Sequence, residues 1–221
     1  QRVEYEISPA TYEWTSRFFT LLRTVLGVHF TLHHREAQIA DGDIFLFNHF
    51  ARVETLIPQY LIYKESGAYC RFIAGRQLFV EGDTFSNYLI RAGAVPDDLP
   101  DLLPFLAKEI LRGRKIVVFP EGGMVKDKRV LDAPGSFSVY SRIAEERRTQ
   151  HTGAAVLALA LDVFKRAVIT SHDAGNTRRV DAWAQSLELE DGDALLEAAR
   201  RPTHIVPANI TFYPLRISDN I

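Results

Sequence analysis

The stretch 44-IFLFNHFARVETLIPQ-59 decides how this chain is read. Four apolar residues, Ile44 to Phe47, run without alternation and stop at Asn48-His49. A short, continuously apolar run is the pattern of a strand buried on both faces, as in a parallel sheet covered by helices. A second such run, 115-KIVVF-119, stops as abruptly in 120-PEGG-123. Working outward, helical periodicity recurs at about 55–64, 83–92, 99–114, 136–147 and 154–168. Strand patterns recur at 28-VHFTLH-33, 70-CRFIA-74 and 204-HIVPANITFY-213. Strands alternating with helices predict an α/β fold with a mostly parallel central sheet flanked by helices. In such sheets ligands bind at the carboxyl ends of strands, where both polar endings fall.

Ser8-Pro9 is a helix start, a capping side chain followed by proline at the first position. After it, Trp14, Phe18, Leu21, Leu22, Val25 and Leu26 fall at helical spacing, and the helix should end near Gly27. Pro104 is a candidate break within 99–114. Residues 171–202 are polar, and the helix read over 181–201 makes them an insertion before the last strand. The chain is thus one domain over 1–221, with an amphipathic helix in 1–27 and an insertion at 171–202.

Of the 221 residues, 47% are hydrophobic and 24% charged, the composition of a globular domain. A formal net charge of −2 argues against nucleic-acid binding by bulk charge. Cys70 is the single cysteine, so no internal disulfide forms and a reducing compartment fits. Within 68-AYCRFIA-74 it reads as a buried, inert thiol. The longest apolar region, 18–32, is interrupted by Arg23 and His29 and is no bilayer span. On a strand His29 and His33 are too far apart for one ion, so no metal site is expected.

His49 and Glu54 are five residues apart, about 140° around a continuous helix, so they share no helix face. They meet only if His49 lies in a loop and Glu54 in the following helical turn. The carboxylate would then fix one imidazole nitrogen and leave the other as a base. No serine or cysteine accompanies them, so the base would act on a substrate hydroxyl. The bland alternative is a strand-capping histidine and an acid at a helix start. In 120-PEGG-123 the glycines allow backbone amides to approach a ligand closely, or simply make a tight turn.

Together the endings carry a resemblance. 48-NHFARVE-54 resembles the Asn-His-x4-Asp motif of the glycerolipid acyltransferase superfamily, the glycerol-3-phosphate and lysophosphatidate acyltransferases. 119-FPEGG-123 is similar to that family's Phe-Pro-Glu-Gly motif. 72-FIAGRQLF-79 and 205-IVPANI-210 are weaker matches to two further segments. The resemblance spans about residues 28–212. It departs in three places. Glu54 stands where the family has aspartate, 93-GAVPDD-98 offers aspartates where an arginine is usual, and 171–202 is extra.

The resemblance implies an O-acyltransferase. His49 would be the general base and Glu54 its orienting partner. Asn48, Arg52, Arg76, Glu121, Gly122 and Gly123 would bind substrate. Arg91 is a second stand-in for the missing arginine, and Lys126, Lys128 and Arg129 are further cation candidates or a solvated loop. The donor would be acyl-CoA or acyl-carrier protein, with no cofactor, and the acceptor a glycerol phosphate or lysophospholipid. The protein would work at the cytoplasmic face of a membrane, in peripheral contact with lipid or anchored by segments outside this chain. The first helix would then lie in the interface plane, or else pack its stripe on the domain. Two other functions stay open: a lipid-binding module that has lost catalysis, and an acyl thioesterase.

Overall fold

The computed structural model describes residues 5–35, 37–48, 56–120, 128–133, 136–141, 147–149 and 152–211; for 128–149 it is the backbone that is described. In chain order these residues form α1 (Pro9–Val25), α2 (Gln38–Asp41), β1 (Ile44–Phe47), α3 (Ile57–Ser66) and β2 (Cys70–Ala74). Next come α4 (Thr84–Arg91), β3 (Ala94–Pro96), α5 (Leu102–Leu111) and β4 (Lys115–Val118). Three short strands follow, β5 (Lys128–Ala133), β6 (Ser136–Ser141) and β7 (Arg147–Thr149). The chain then runs through α6 (Gly153–Asp173), α7 (Thr177–Ser186) and α8 (Gly192–Arg200) into β8 (Ile205–Ala208).

Five strands make one sheet in the order β3-β2-β4-β1-β8, and every pairing is parallel. This is the expected α/β architecture. Side-chain alternation sends Ile44, Val95 and Ile116 to one face, where α5, α6, α7 and α8 cover them. Phe45, Phe72, Val117 and Val206 point to the other face, under α3 and α4. Both faces are therefore filled, which is why the strands read as unbroken apolar runs.

Several local expectations change. Residues 28–33 form no strand and join no sheet, and most are exposed. Where a helix was expected at 136–147, residues 136–141 form β6, antiparallel to β5 and β7; 136-SFSVYS-141 alternates with period two, a strand pattern. Pro104 does not break α5, because it lies in the first turn, where its missing N–H has no helical partner to lose. The helix expected over 181–201 is two. Glu188 adopts a left-handed backbone at the junction, and Asp191 caps α8 by accepting from the Ala194 N–H at 2.8 Å. Both helices pack on the domain: Val180, Ala184, Leu195 and Ala199 are buried in the main core.

A charged cluster lies deep in that core. Arg71 and Glu109 are 2% and 1% exposed and form a direct ion pair, with Arg114 donating to the same carboxylate at 2.6 Å. Such a cluster stays buried because its hydrogen bonds offset most of the desolvation cost. Among the described residues no helix is long and apolar enough to cross a membrane.

Candidate functional site

Strands β1 and β4 are adjacent, with Ile44, Phe45 and Leu46 facing Ile116, Val117 and Val118. The next residues, Phe47 and Phe119, bring their rings to 6.4 Å at a 42° tilt. Asn48 and Pro120 follow, so the two polar endings leave neighbouring strands on the same sheet edge. The chain after β1 returns through α3 on one face. The chain after β4 returns to the sheet through α6, α7 and α8 on the other. Neighbouring strands whose connections part to opposite faces mark the topological switch point, where α/β sheets bind ligands.

Asn48 ties this edge together. Its Nδ2 donates to the Ile210 carbonyl at 3.0 Å, and the Ile210 N–H donates to its Oδ1 at 2.6 Å. Phe47 is in register with Ala208 on β8. The side-chain amide therefore extends the β1–β8 ladder beyond the last backbone rung. Asn48 was expected to touch substrate; here its amide holds the exit of β8 against the start of the histidine segment. The weak fourth motif, 205-IVPANI-210, is thus bonded directly to the first.

Arg76 lies two residues beyond β2, which is itself beside β4, and so belongs to the same edge. Its backbone N–H donates to Asp97 Oδ1 at 2.9 Å, and its Nε sits 3.7 Å from Asp98 Oδ2. The side chains are 58% and 60% exposed, so the pair is weakly held and the guanidinium is accessible to an anion. The aspartates that stand where an arginine was expected thus contact a different arginine, one through its backbone and one through its side chain. Sequence alone could not find this contact, because it joins residues 21 apart. Arg91 is no substitute: it ends α4 just before β3, at the opposite, amino-terminal edge of the sheet.

His49, Arg52, Glu54, Glu121, Gly122, Gly123 and Lys126 lie outside the described residues, as do the side chains of Lys128 and Arg129. Cys70 is fully buried, and burial pushes its thiol up to about 12. Such a thiol is no nucleophile near neutrality. Among the described residues no three His, Cys, Asp or Glu side chains gather as metal ligands.

Compared with protein-family models, the chain matches none. It likewise matches no curated protein.

Proposed function

We propose that this protein is an O-acyltransferase that moves a fatty acyl group from an acyl thioester to the hydroxyl of a glycerol phosphate or lysophospholipid. One observation carries the reading. The two strands that precede His49 and Glu121 are parallel neighbours in register, with return connections on opposite faces. Their endings therefore flank one crevice. The exposed Arg76 guanidinium at the same edge suits an acceptor phosphate.

In the proposed reaction His49, oriented by Glu54, takes the proton of the acceptor hydroxyl as its oxygen attacks the thioester carbonyl. A new C–O bond forms and a tetrahedral oxyanion develops. Its collapse breaks the C–S bond and expels the thiolate, which takes the proton back from the imidazolium. Free thiol and acyl ester leave. Glu121, Gly122 and Gly123 shape the acceptor side of the crevice, and Asn48 positions the histidine segment. The proposed donor is acyl-CoA or acyl-carrier protein, and the proposed place of work is the cytoplasmic face of a membrane.

Thiol release is the assay. It should require both acyl-CoA and a hydroxyl acceptor, and His49→Ala should abolish it. Release without acceptor would identify a thioesterase instead. Lipid binding with no transfer across a range of donors would identify an inactive module.

A further inference from the structure

The turn that carries Arg76 is held by a side chain from another element. Ser86 lies in the first turn of α4 and is 3% exposed. A serine inside a helix ordinarily gives its hydroxyl to the carbonyl one turn back in that helix. Ser86 gives it to the segment after β2 instead. Its Oγ donates to the Leu78 carbonyl at 2.8 Å and accepts from the Val80 N–H at 2.8 Å. Asp83 Oδ2, which caps α4 by accepting from the Ser86 N–H at 2.9 Å, lies 3.2 Å from the same hydroxyl. The hydroxyl has one proton, and the Leu78 carbonyl is the nearer acceptor. The 3₁₀ turn Arg76–Leu78 is short, so its end leaves backbone groups that a side chain must satisfy.

The arginine turn is thus fastened along its length. At its start the Arg76 N–H donates to Asp97 Oδ1 at 2.9 Å, and the Asp97 N–H donates to the Ala74 carbonyl at 3.0 Å. Just past its end Phe79 is buried in the core with Phe72 of β2 and Leu89 of α4. Ser86 then ties Leu78 and Val80 to α4. A guanidinium on a long exposed side chain binds an anion well only when its backbone is already placed, because ordering it on binding subtracts from affinity. Alanine at position 86 would fill nearly the same space. What serine adds there is the hydroxyl, and the hydroxyl serves the arginine turn.

We infer that Ser86 is a positioning residue for the acceptor: its hydroxyl fixes the turn from which the Arg76 guanidinium meets the acceptor phosphate. The inference deepens the acyl-transfer reading and rests on its assignment of Arg76 to that phosphate. Ser86 acts only through Arg76 and takes no part in the transfer step.

The test is calorimetric binding of glycerol phosphate to the intact chain without acyl donor, which reads whether or not transfer occurs. Ser86→Ala should weaken binding about threefold or more, and Arg76→Ala about tenfold or more. The double variant should bind no more weakly than Arg76→Ala alone, because the second change acts through a side chain already removed. A general packing defect would instead add its own loss. Ser86→Thr keeps the hydroxyl, and Ser86→Val has the shape of threonine without it. Threonine should bind as the intact chain does and valine should not, a comparison that stands even where Ser86→Ala does not fold. In the thiol-release assay Ser86→Ala should raise KM for the phosphate acceptor and leave kcat and KM for acyl-CoA nearly unchanged. The inference is overturned if Ser86→Ala or Ser86→Val binds as the intact chain does, or if the losses add in the double variant. It is also overturned if the intact chain binds no glycerol phosphate. The predicted binding pattern in a protein that releases no thiol would sink the acyl-transfer reading alone and support the role of Ser86.

Discussion

The Asn48 side chain and the Ile210 backbone are joined by two hydrogen bonds, of 3.0 and 2.6 Å, across 162 residues of sequence. The amide donates with one atom and accepts with the other, so only a carboxamide satisfies both ends. It is the one direct tie described between the start of the histidine segment and the end of the last sheet strand.

Asn48→Asp should therefore be disruptive despite its small change in shape. A carboxylate still accepts from the Ile210 N–H, but its second oxygen faces the Ile210 carbonyl, acceptor against acceptor. A stability loss of about 1–3 kcal/mol is expected by urea denaturation, together with a fall in turnover. Unchanged stability would show that the bridge is dispensable.

Arg76→Ala should act on binding rather than chemistry. KM for a phosphate-bearing acceptor should rise about tenfold or more, with kcat nearly unchanged. An acceptor lacking phosphate should be used equally by both proteins. Equal KM values for the phosphate acceptor would remove Arg76 from the site.

Gly93 joins α4 to β3 with φ at +105°, and a β carbon there would strike the Cys70 carbonyl oxygen. Neither strain nor clash can relax without separating β2 from its neighbour. Gly93→Ala should cost at least about 2 kcal/mol in urea denaturation. A loss below about 0.5 kcal/mol would contradict this packing.

Cys70 sets a pH dependence. Burial lifts its thiol from its ordinary value near 9 to about 12, so in alkali the unfolded chain ionises first and the folded chain does not. The unfolded state then binds fewer protons, and stability falls as pH rises from about 9 to about 12, by up to about 1.4 kcal/mol per pH unit. Cys70→Ala should lower stability near neutrality through the lost packing but show a shallower alkaline decline. Parallel declines in both proteins would disprove the assignment. A thiol reagent at neutral pH should label Cys70 only after unfolding.

The strands that carry the site are legible in sequence because a parallel strand covered on both faces has no polar position until it ends. Ile44–Phe47 and Lys115–Val118 announce both the strand and the carboxyl end where a ligand site was sought. Their adjacency is not legible, since it depends on the chain passing through β2 and β3 before returning to β4 beside β1. The polarity of 171–202 misleads for a different reason. Average composition hides a narrow stripe, Val180, Ala184, Leu195 and Ala199, that is enough to seat two helices on the core. The partners of Arg76 escape notice because aspartate at 97 and 98 reads as a missing cation rather than as support for one. Helix α1 is the converse case. Its apolar stripe is plain in sequence, but periodicity alone does not say whether such a stripe faces the protein or the solvent.

The central claim is that His49 acts as base toward an acceptor hydroxyl in the crevice between β1 and β4. Acceptor-dependent thiol release from acyl-CoA, measured for the intact chain and for His49→Ala, tests it most directly. The account predicts release only when acceptor is present, and a loss of about a hundredfold to ten-thousandfold in the variant. Wild-type turnover by His49→Ala, or release indifferent to acceptor, would contradict it.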